Sequence, residues 1–400
     1  MPAIEKYVYI CTQIPILHNM YFQRAIEQEV IAMSKAYPVV TITGPRQSGK
    51  TTLAKHLFGK LPYHSFENPD TRLLAESDPR GFLNQFDKGA VLDEIQHVPL
   101  LLSYLQQMVD ERKKELLFIL TGSNQFSLLN TISQSLAGRT AILKLLPLSL
   151  EEIPSVKQLP TDEIMYRGFY PAIHADGLNP TKAYRNYYET YLERDMRQII
   201  QIRELSLFQK FIRICAGRTA NLYNASAMAA ETGVSVKTIQ SWTSILEASY
   251  VIMRLQPYHE NINKRLIKSP KLYFYDVGLA TYLLGIEETQ QLIRDPLRGA
   301  LFENMVIMEF VKRRLNQGLD PNLFFYRDSH HFEIDLIQKK GNDLVPYEIK
   351  SAQTFHPSFL NGLNRFKKLF TKRVPEMVLI YDGEQQTSIQ DVQLLNFRNL

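Results

Sequence analysis

The run Val39-Val40-Thr41-Ile42-Thr43-Gly44-Pro45-Arg46-Gln47-Ser48-Gly49-Lys50-Thr51-Thr52 decides how these 400 residues are read. Its β-branched first part predicts a short buried strand, and the residues from about Lys50 to Phe58 predict a helix. The loop between them fits G-x-x-x-x-G-K-[ST]. Glycines at both ends let the loop wrap so that its backbone N–H groups face phosphates at the helix N-terminus. Gly44, Pro45, Arg46, Gln47, Ser48, Gly49, Lys50, Thr51 and Thr52 are therefore the expected phosphate-binding set. Lys50 reaches the β- and γ-phosphates, and the Thr51 hydroxyl ligates Mg²⁺. An ordinary Gly-containing turn would match the spacing but would not require a strand before it and a helix after it.

Outward from this loop, strands alternate with helices. Gly89–Leu92, Leu116–Thr121 and Ala141–Leu145 read as further buried strands, and Pro99–Lys114 as the clearest helix between them. This alternation predicts an α/β domain with a parallel sheet. Val91-Leu92-Asp93-Glu94 supplies a hydrophobic strand ending in two acids. Asp93 is expected on Mg²⁺, and Glu94 is expected to orient and polarise an attacking water. Thr121-Gly122-Ser123-Asn124 ends the third strand. Asn124 or Ser123 could touch the γ-phosphate or the lytic water, and a plain turn is the alternative. Arg139 precedes the fourth strand as an arginine-finger candidate for a neighbouring subunit, a role worth about 10³–10⁵ in rate. An exposed loop arginine is its bland counterpart.

These residues resemble the AAA+ ATPases, with GPRQSGKT as Walker A, VLDE as Walker B and TGSN as sensor 1. More narrowly, the chain resembles a bacterial and archaeal family that joins such an ATPase to a C-terminal domain of unknown function. The phrases TITGPRQSGKTTL, VLDEIQ, ILTGSN, LAGR, LPLSLEEI, YLERDMRQI, YFYDVGLATYLLG and LFENMV carry the likeness over residues 21–400. The resemblance implies ATP and Mg²⁺ as cofactors, ATP hydrolysis, a homo-oligomer with a hexamer among the candidates, and a link to DNA.

Residues 224–258 hold a helix–turn–helix pattern in which Gly233 makes the turn and Ser235 caps the second helix. Ile239, Trp242, Ile245 and Leu246 are expected inward, leaving Lys237, Thr238, Gln240, Ser241 and Ser244 outward. Two strands, Tyr250–Tyr258 and Lys271–Tyr275, complete a winged-helix reading. Lys237, Lys264, Arg265 and Lys268 are the expected DNA contacts, mostly to phosphate. A winged helix used only for packing is the alternative.

After residue 295 a long amphipathic helix, Leu297–Leu315, precedes alternating strands. Glu303 lies on that helix, Asp335 on one strand, and Glu348-Ile349-Lys350 on the next. Adjacent antiparallel strands would bring Asp335 to Glu348 beneath Glu303. That arrangement resembles the PD-(D/E)XK nuclease superfamily, which implies a second Mg²⁺ site on Glu303, Asp335 and Glu348 with Lys350 positioning the nucleophile. A catalytically silent DNA-binding scaffold of the same fold is the alternative. Arg365, Lys367, Lys368, Lys372 and Arg373 form a basic run facing DNA or water.

Composition frames these readings. Apolar residues make up 45% and charged residues 22%, which is ordinary globular usage. Net charge is only +5, from 46 basic and 41 acidic residues, so bulk charge alone does not establish a nucleic-acid partner. Cys11 and Cys215 exclude a disulfide framework and a cysteine zinc site. No apolar run approaches membrane-spanning length and no secretory signal is visible, so a cytoplasmic protein without a membrane partner is expected. Four regions are expected: an N-terminal extension over 1–20, an ATPase domain over 21–160, a helical and winged-helix region over 161–290, and a nuclease-like α/β domain over 291–400. The function expected is an ATPase that remodels DNA, branched DNA included. An ATP-dependent nuclease and a nucleotide-switched protein adaptor are the alternatives.

Overall fold

The computed structural model describes residues 21–111, 116–123, 132, 135–192, 205–259 and 268–400. Its first layer is a five-stranded sheet of β1 (Val39–Thr43), β2 (Tyr63–Ser65), β3 (Val91–Asp93), β4 (Phe118–Gly122) and β5 (Thr140–Lys144). The strands run in the order β2-β3-β4-β1-β5, all parallel. Both faces are covered, which is why every residue of β1, β3 and β4 is buried rather than alternate ones. One face packs on the helix Leu101–Glu111 and its neighbours, the other on the helices Glu27–Ala36 and Lys50–Leu57. In this register Thr43 lies opposite both Gly122 and Lys144, so the ends of β1, β3 and β4 share one edge.

The middle of the chain is helical through Leu205–Gly217, Ala225–Thr232 and Val236–Ala248. It ends in an antiparallel ribbon of β6 (Ile252–Leu255) and β7 (Lys271–Phe274). Asn224 and Ser235 cap the second and third of these helices through their side-chain oxygens, and Gly233 takes the left-handed conformation between them.

The helix Arg298–Asn316 leads into a mixed sheet of β8 (Leu323–Arg327), β9 (Glu333–Lys340), β10 (Asp343–Lys350), β11 (Met377–Tyr381), β12 (Ser388–Ile389) and β13 (Val392–Asn396). Its order is β12-β13-β11-β10-β9-β8, with β8 to β10 an antiparallel meander and β10, β11 and β13 parallel. The helix Asn361–Leu369 makes the crossover from β10 to β11. The largest apolar core runs without interruption from Leu146 through Trp242 and Phe302 to Phe397. Residues of the middle and C-terminal regions therefore exclude water together.

Candidate nucleotide site and a second carboxylate cluster

The loop after β1 closes on its own lysine. Gly49 sits in the left-handed region at φ 94° as the cap of the helix Lys50–Leu57. A Cβ on Gly44 would lie 2.0 Å from the Leu145 carbonyl oxygen, so the backbones there can meet only at glycine. Lys50 Nζ donates to the carbonyls of Gly44 at 3.1 Å and Pro45 at 2.7 Å. Burial lowers its pKa to about 8, although Glu94 and Asp93 pull it upward. A buried ammonium hydrogen-bonded to loop carbonyls is ready to exchange them for phosphate oxygens.

Asp93 and Glu94 divide their partners. Thr51 Oγ1 donates to both Asp93 oxygens at 3.0 and 3.1 Å, Tyr63 donates to Oδ2 at 2.7 Å, and the Thr121 hydroxyl donates to Oδ1. A hydroxyl and a carboxylate face to face form the hard-oxygen donor pair that suits Mg²⁺ bound largely through water. Glu94 accepts from Ser123 Oγ at 3.1 Å and from Gln96, while its own N–H donates to Thr121 Oγ1. Burial pushes its carboxyl up, but the Lys50 ammonium, the Gln96 and Ser123 hydrogen bonds and Arg46 outweigh that and hold it below the usual value. Glu94 is thus ionised at neutral pH. Of the two candidates at the end of β4, Ser123 is placed on Glu94; Asn124 lies outside the described residues.

Sequence reasoning missed Arg24. Its guanidinium is buried, donating to the carbonyls of Ser48 at 2.8 Å and Leu146 at 2.7 Å, and it pairs with Glu152 at 3.1 Å. In a trans peptide the C=O and the next N–H point in opposite directions. Drawing the Ser48 carbonyl toward Arg24 therefore turns the Gly49 N–H the other way. Glu152 is held in turn by the N–H groups of Ala25 and Ser149. Only the 122-residue gap between Arg24 and Leu146 hid this set from sequence.

Arg139 lies immediately before β5, at the opposite end of the sheet from the loop. Arg139 is level with Pro38, so six strand steps at about 3.3 Å put it roughly 20 Å from Gly44 of its own phosphate loop along the strand. It makes a two-pronged ion pair with Asp110 at 2.7 Å.

On the outward face of the helix Val236–Ala248, Lys237, Gln240, Ser241 and Ser244 are exposed, as expected, while Thr238 is half-buried. Of the basic residues around the ribbon, Lys268 is exposed. Arg254 is instead locked to Glu247 at 2.6 and 2.8 Å, and Lys271 is buried. Lys264 and Arg265 lie outside the described residues. In the later basic run Arg365 stacks on Phe332 and reaches Asp328, Lys367 reaches Asp391, and Arg373 donates to the Asn342 carbonyl.

The C-terminal acids do converge, but not as a metal trio. Continuing the β9–β10 register one step beyond Leu336 and Tyr347 sets Asp335 against Glu348. Lys350 Nζ stands 2.6 Å from Glu348 and 3.8 Å from Asp335, and the Ile349 N–H donates to Asp335 at 2.8 Å. Glu303 is turned to another partner: Lys271 Nζ lies 3.0 Å from it and 2.5 Å from Glu333, and Tyr273 donates to it at 2.6 Å. Among the described residues no group of three His, Cys, Asp or Glu side chains is arranged to hold a metal. Of the acids expected to hold a second Mg²⁺, Asp335 and Glu348 pair with Lys350, and Glu303 pairs with Lys271 from the middle region. Burial and the neighbouring Asp335 raise Glu348 to about 8, with Lys350 opposing. Burial raises Glu303 to about 7 against the pull of Lys271.

Comparison with known proteins gives three consecutive matches. The profile described as "AAA domain" matches residues 36–154, "Domain of unknown function (DUF8612)" matches 160–290, and "Domain of unknown function (DUF4143)" matches 298–400. Two proteins, Rv2008c of Mycobacterium tuberculosis and Mb2031c of Mycobacterium bovis, are each 31% identical over 360 residues, spanning 88% of this chain and 78% of theirs. A Haemophilus influenzae protein is 21% identical over 270 residues, 63% of this chain and 64% of its own. Among solved structures, a Walker-type ATPase of Pyrococcus abyssi is 15% identical with a TM-score of 0.46, over 66% of this chain and 96% of that one. No helix among the described residues is long and apolar enough to cross a membrane. With its phosphate loop, its Asp-Glu strand end and these matches in order, the chain belongs to the family of P-loop ATPases that join an AAA domain to the DUF4143 domain.

Proposed function

We propose that this protein hydrolyses ATP with Mg²⁺ between β1, β3 and β4, and couples turnover to remodelling DNA held by its C-terminal half. The observation that carries the hydrolytic part is the division of labour between Asp93 and Glu94. Asp93 faces the Thr51 hydroxyl, where a Mg²⁺ would supply charge neutralisation between phosphate oxygens. Glu94, ionised and fixed by Ser123 and Gln96, accepts the proton of a water aligned on the γ-phosphate. Lys50 trades its loop carbonyls for the β- and γ-phosphates. Arg139 serves the site of a neighbouring copy in a ring, because it lies at the far end of its own sheet.

The DNA part rests on the helix–turn–helix and ribbon, read as a winged helix with Lys237 and Lys268 exposed. It also draws on the helix–meander–helix–strand order after Arg298, which we read as a nuclease-like scaffold. The lysines among its acids favour a gripping role over a cutting one. The second reading, a nucleotide-switched protein adaptor, draws on the internal pairing of Arg254, Arg365 and Lys367.

Steady-state ATP hydrolysis with no DNA, single strand, linear duplex and a four-way junction tests the proposal, with Glu94→Gln as control. Stimulation by one form, absent in the control, is the expected result. Turnover indifferent to every form would select the adaptor, and cleavage of Mn²⁺-supplemented plasmid lost on Asp335→Ala would select a nuclease.

A further inference from the structure

Lys271 is an unusual cation for a strand. It is 2% exposed, it leaves the middle region on β7, and it ends between two carboxylates of the C-terminal sheet domain. Its delivery is built. The edge of β7 is clamped by Asn304, whose side-chain oxygen accepts from the Phe274 N–H at 2.7 Å and whose amide donates to the Phe274 carbonyl at 3.0 Å. Asn304 and Glu303 are consecutive on the helix Arg298–Asn316, so one helical turn holds both the strand and its lysine.

The charge count around it nearly cancels. Glu303, Glu333, Asp335 and Glu348 face Lys271, Lys350 and Arg327, the last 2.9 Å from Glu333. Four acids against three bases leave at most a single excess negative charge. Glu303 Oε1 already accepts from Lys271 and Tyr273. A divalent ion would have to displace both donors and settle beside two ammonium groups at a few ångströms, where repulsion is strong in a buried setting.

We propose that Lys271 is the resident cation of this cluster: it takes the place a divalent metal would need, and the C-terminal carboxylates take up metal only when Lys271 is removed. This deepens the nuclease-like reading of the C-terminal scaffold and rests on it. The ribbon that carries Lys271 also reaches the nucleotide site: its first strand pairs Leu255 with Lys271, and Tyr250, two residues before that strand, touches the residue preceding the phosphate loop.

The test is Mn²⁺ uptake by the full chain without nucleotide, read as loss of the free-ion paramagnetic resonance signal. Lys271→Met and Lys271→Gln are compared with the wild type, each with and without Asp335→Asn. Gln keeps a donor for Glu303, so it covers the case in which Met does not fold. The folded variant is expected to bind one Mn²⁺ at least about tenfold more tightly than the wild type, and Asp335→Asn is expected to abolish that gain. Wild-type uptake that equals the variants' and is lost with Asp335→Asn would overturn the proposal. So would a folded Lys271→Gln chain that takes up none. Because the readout is metal uptake, absence of DNA cleavage leaves this result standing, and failure here leaves the ATPase and DNA assays untouched.

Discussion

The Tyr250 phenol and the Thr43 hydroxyl stand 2.9 Å apart in the interior, joining the helix–ribbon junction of the middle region to the last residue of β1. Burial raises the phenol to about 12, so it remains protonated at every working pH. Tyr250 adopts φ 55°, a left-handed conformation that a bulky side chain takes only when its surroundings impose it. Thr43 leads straight into Gly44, so any shift of the ribbon is felt at the root of the phosphate loop. Among the described residues, Tyr250→Phe leaves the Thr43 hydroxyl the Leu143 carbonyl at 3.4 Å. The expected cost is about 1–2 kcal/mol, seen as a lower thermal midpoint with unchanged secondary structure. A midpoint equal to the wild type's would show that the contact holds nothing.

Glu94→Gln should separate binding from chemistry. The amide keeps the size of the side chain but cannot take the water's proton. Turnover is expected to fall at least about a hundredfold. Nucleotide affinity, measured by titration with a fluorescent ATP analogue, should stay near that of the wild type. Retained turnover would move the base elsewhere.

Arg24 acts through the loop rather than on the phosphates. Arg24→Gln removes the charge pairing with Glu152 and slackens the hold on the Ser48 carbonyl, freeing the Gly49 peptide to rotate. Weaker nucleotide binding, by about tenfold, should outweigh any change in kcat at saturation. Arg24→Lys keeps the charge but cannot span Ser48, Leu146 and Glu152 together, so only partial recovery is expected. Equal losses in kcat and affinity for both variants would indicate a general folding defect instead.

What the sequence could show follows the range of each interaction. Lys50, Thr51, Asp93 and Glu94 were legible because a loop, a strand and their spacing carry them locally. That β1, β3, β4 and β5 run parallel followed from the alternation of elements, whereas their order did not, and β2 and β12, three and two residues long, are too short to carry a periodic signal. The convergence of Asp335, Glu348 and Lys350 was legible from two neighbouring strands. Lys271 was not: in sequence it is one more cation after Lys264, Arg265 and Lys268, and only the fold turns it inward, 32 residues ahead of Glu303. Arg24 and Tyr250 were hidden for the same reason, since their partners lie far along the chain and nothing local marks a side chain that will be buried against them.

Arg139 supplies a prediction about assembly. Its guanidinium is held by Asp110 on the helix Leu101–Glu111. If it completes a neighbour's site, Arg139→Ala should lose turnover while still binding ATP. Mixing Arg139→Ala with an equal amount of Lys50→Ala, each inactive alone, should then restore part of the activity at mixed interfaces. Activity of Arg139→Ala alone that matches the wild type would return this arginine to the surface.

The charge cluster also makes stability depend on pH with a definite sign. Glu348 titrates near 8 in the folded chain, against an ordinary value of 4.5, because burial and Asp335 disfavour its charged form more than Lys350 restores it. Glu303, near 7, is displaced in the same direction. The folded state therefore binds more protons than the unfolded state between these limits, and stability falls as pH rises. The contribution is complete below 4.5 and is lost as pH climbs through 7 for Glu303 and 8 for Glu348. Lys271 and Lys350 keep their charge throughout, since their carboxylate neighbours outweigh burial and raise both, so neither cancels the trend. Thermal midpoints from pH 5 to 8 should thus decline in the wild type and decline less in Glu348→Gln, whose amide does not titrate. Parallel declines in the two proteins would mean that Glu348 is ionised throughout and that Lys350 outweighs its burial.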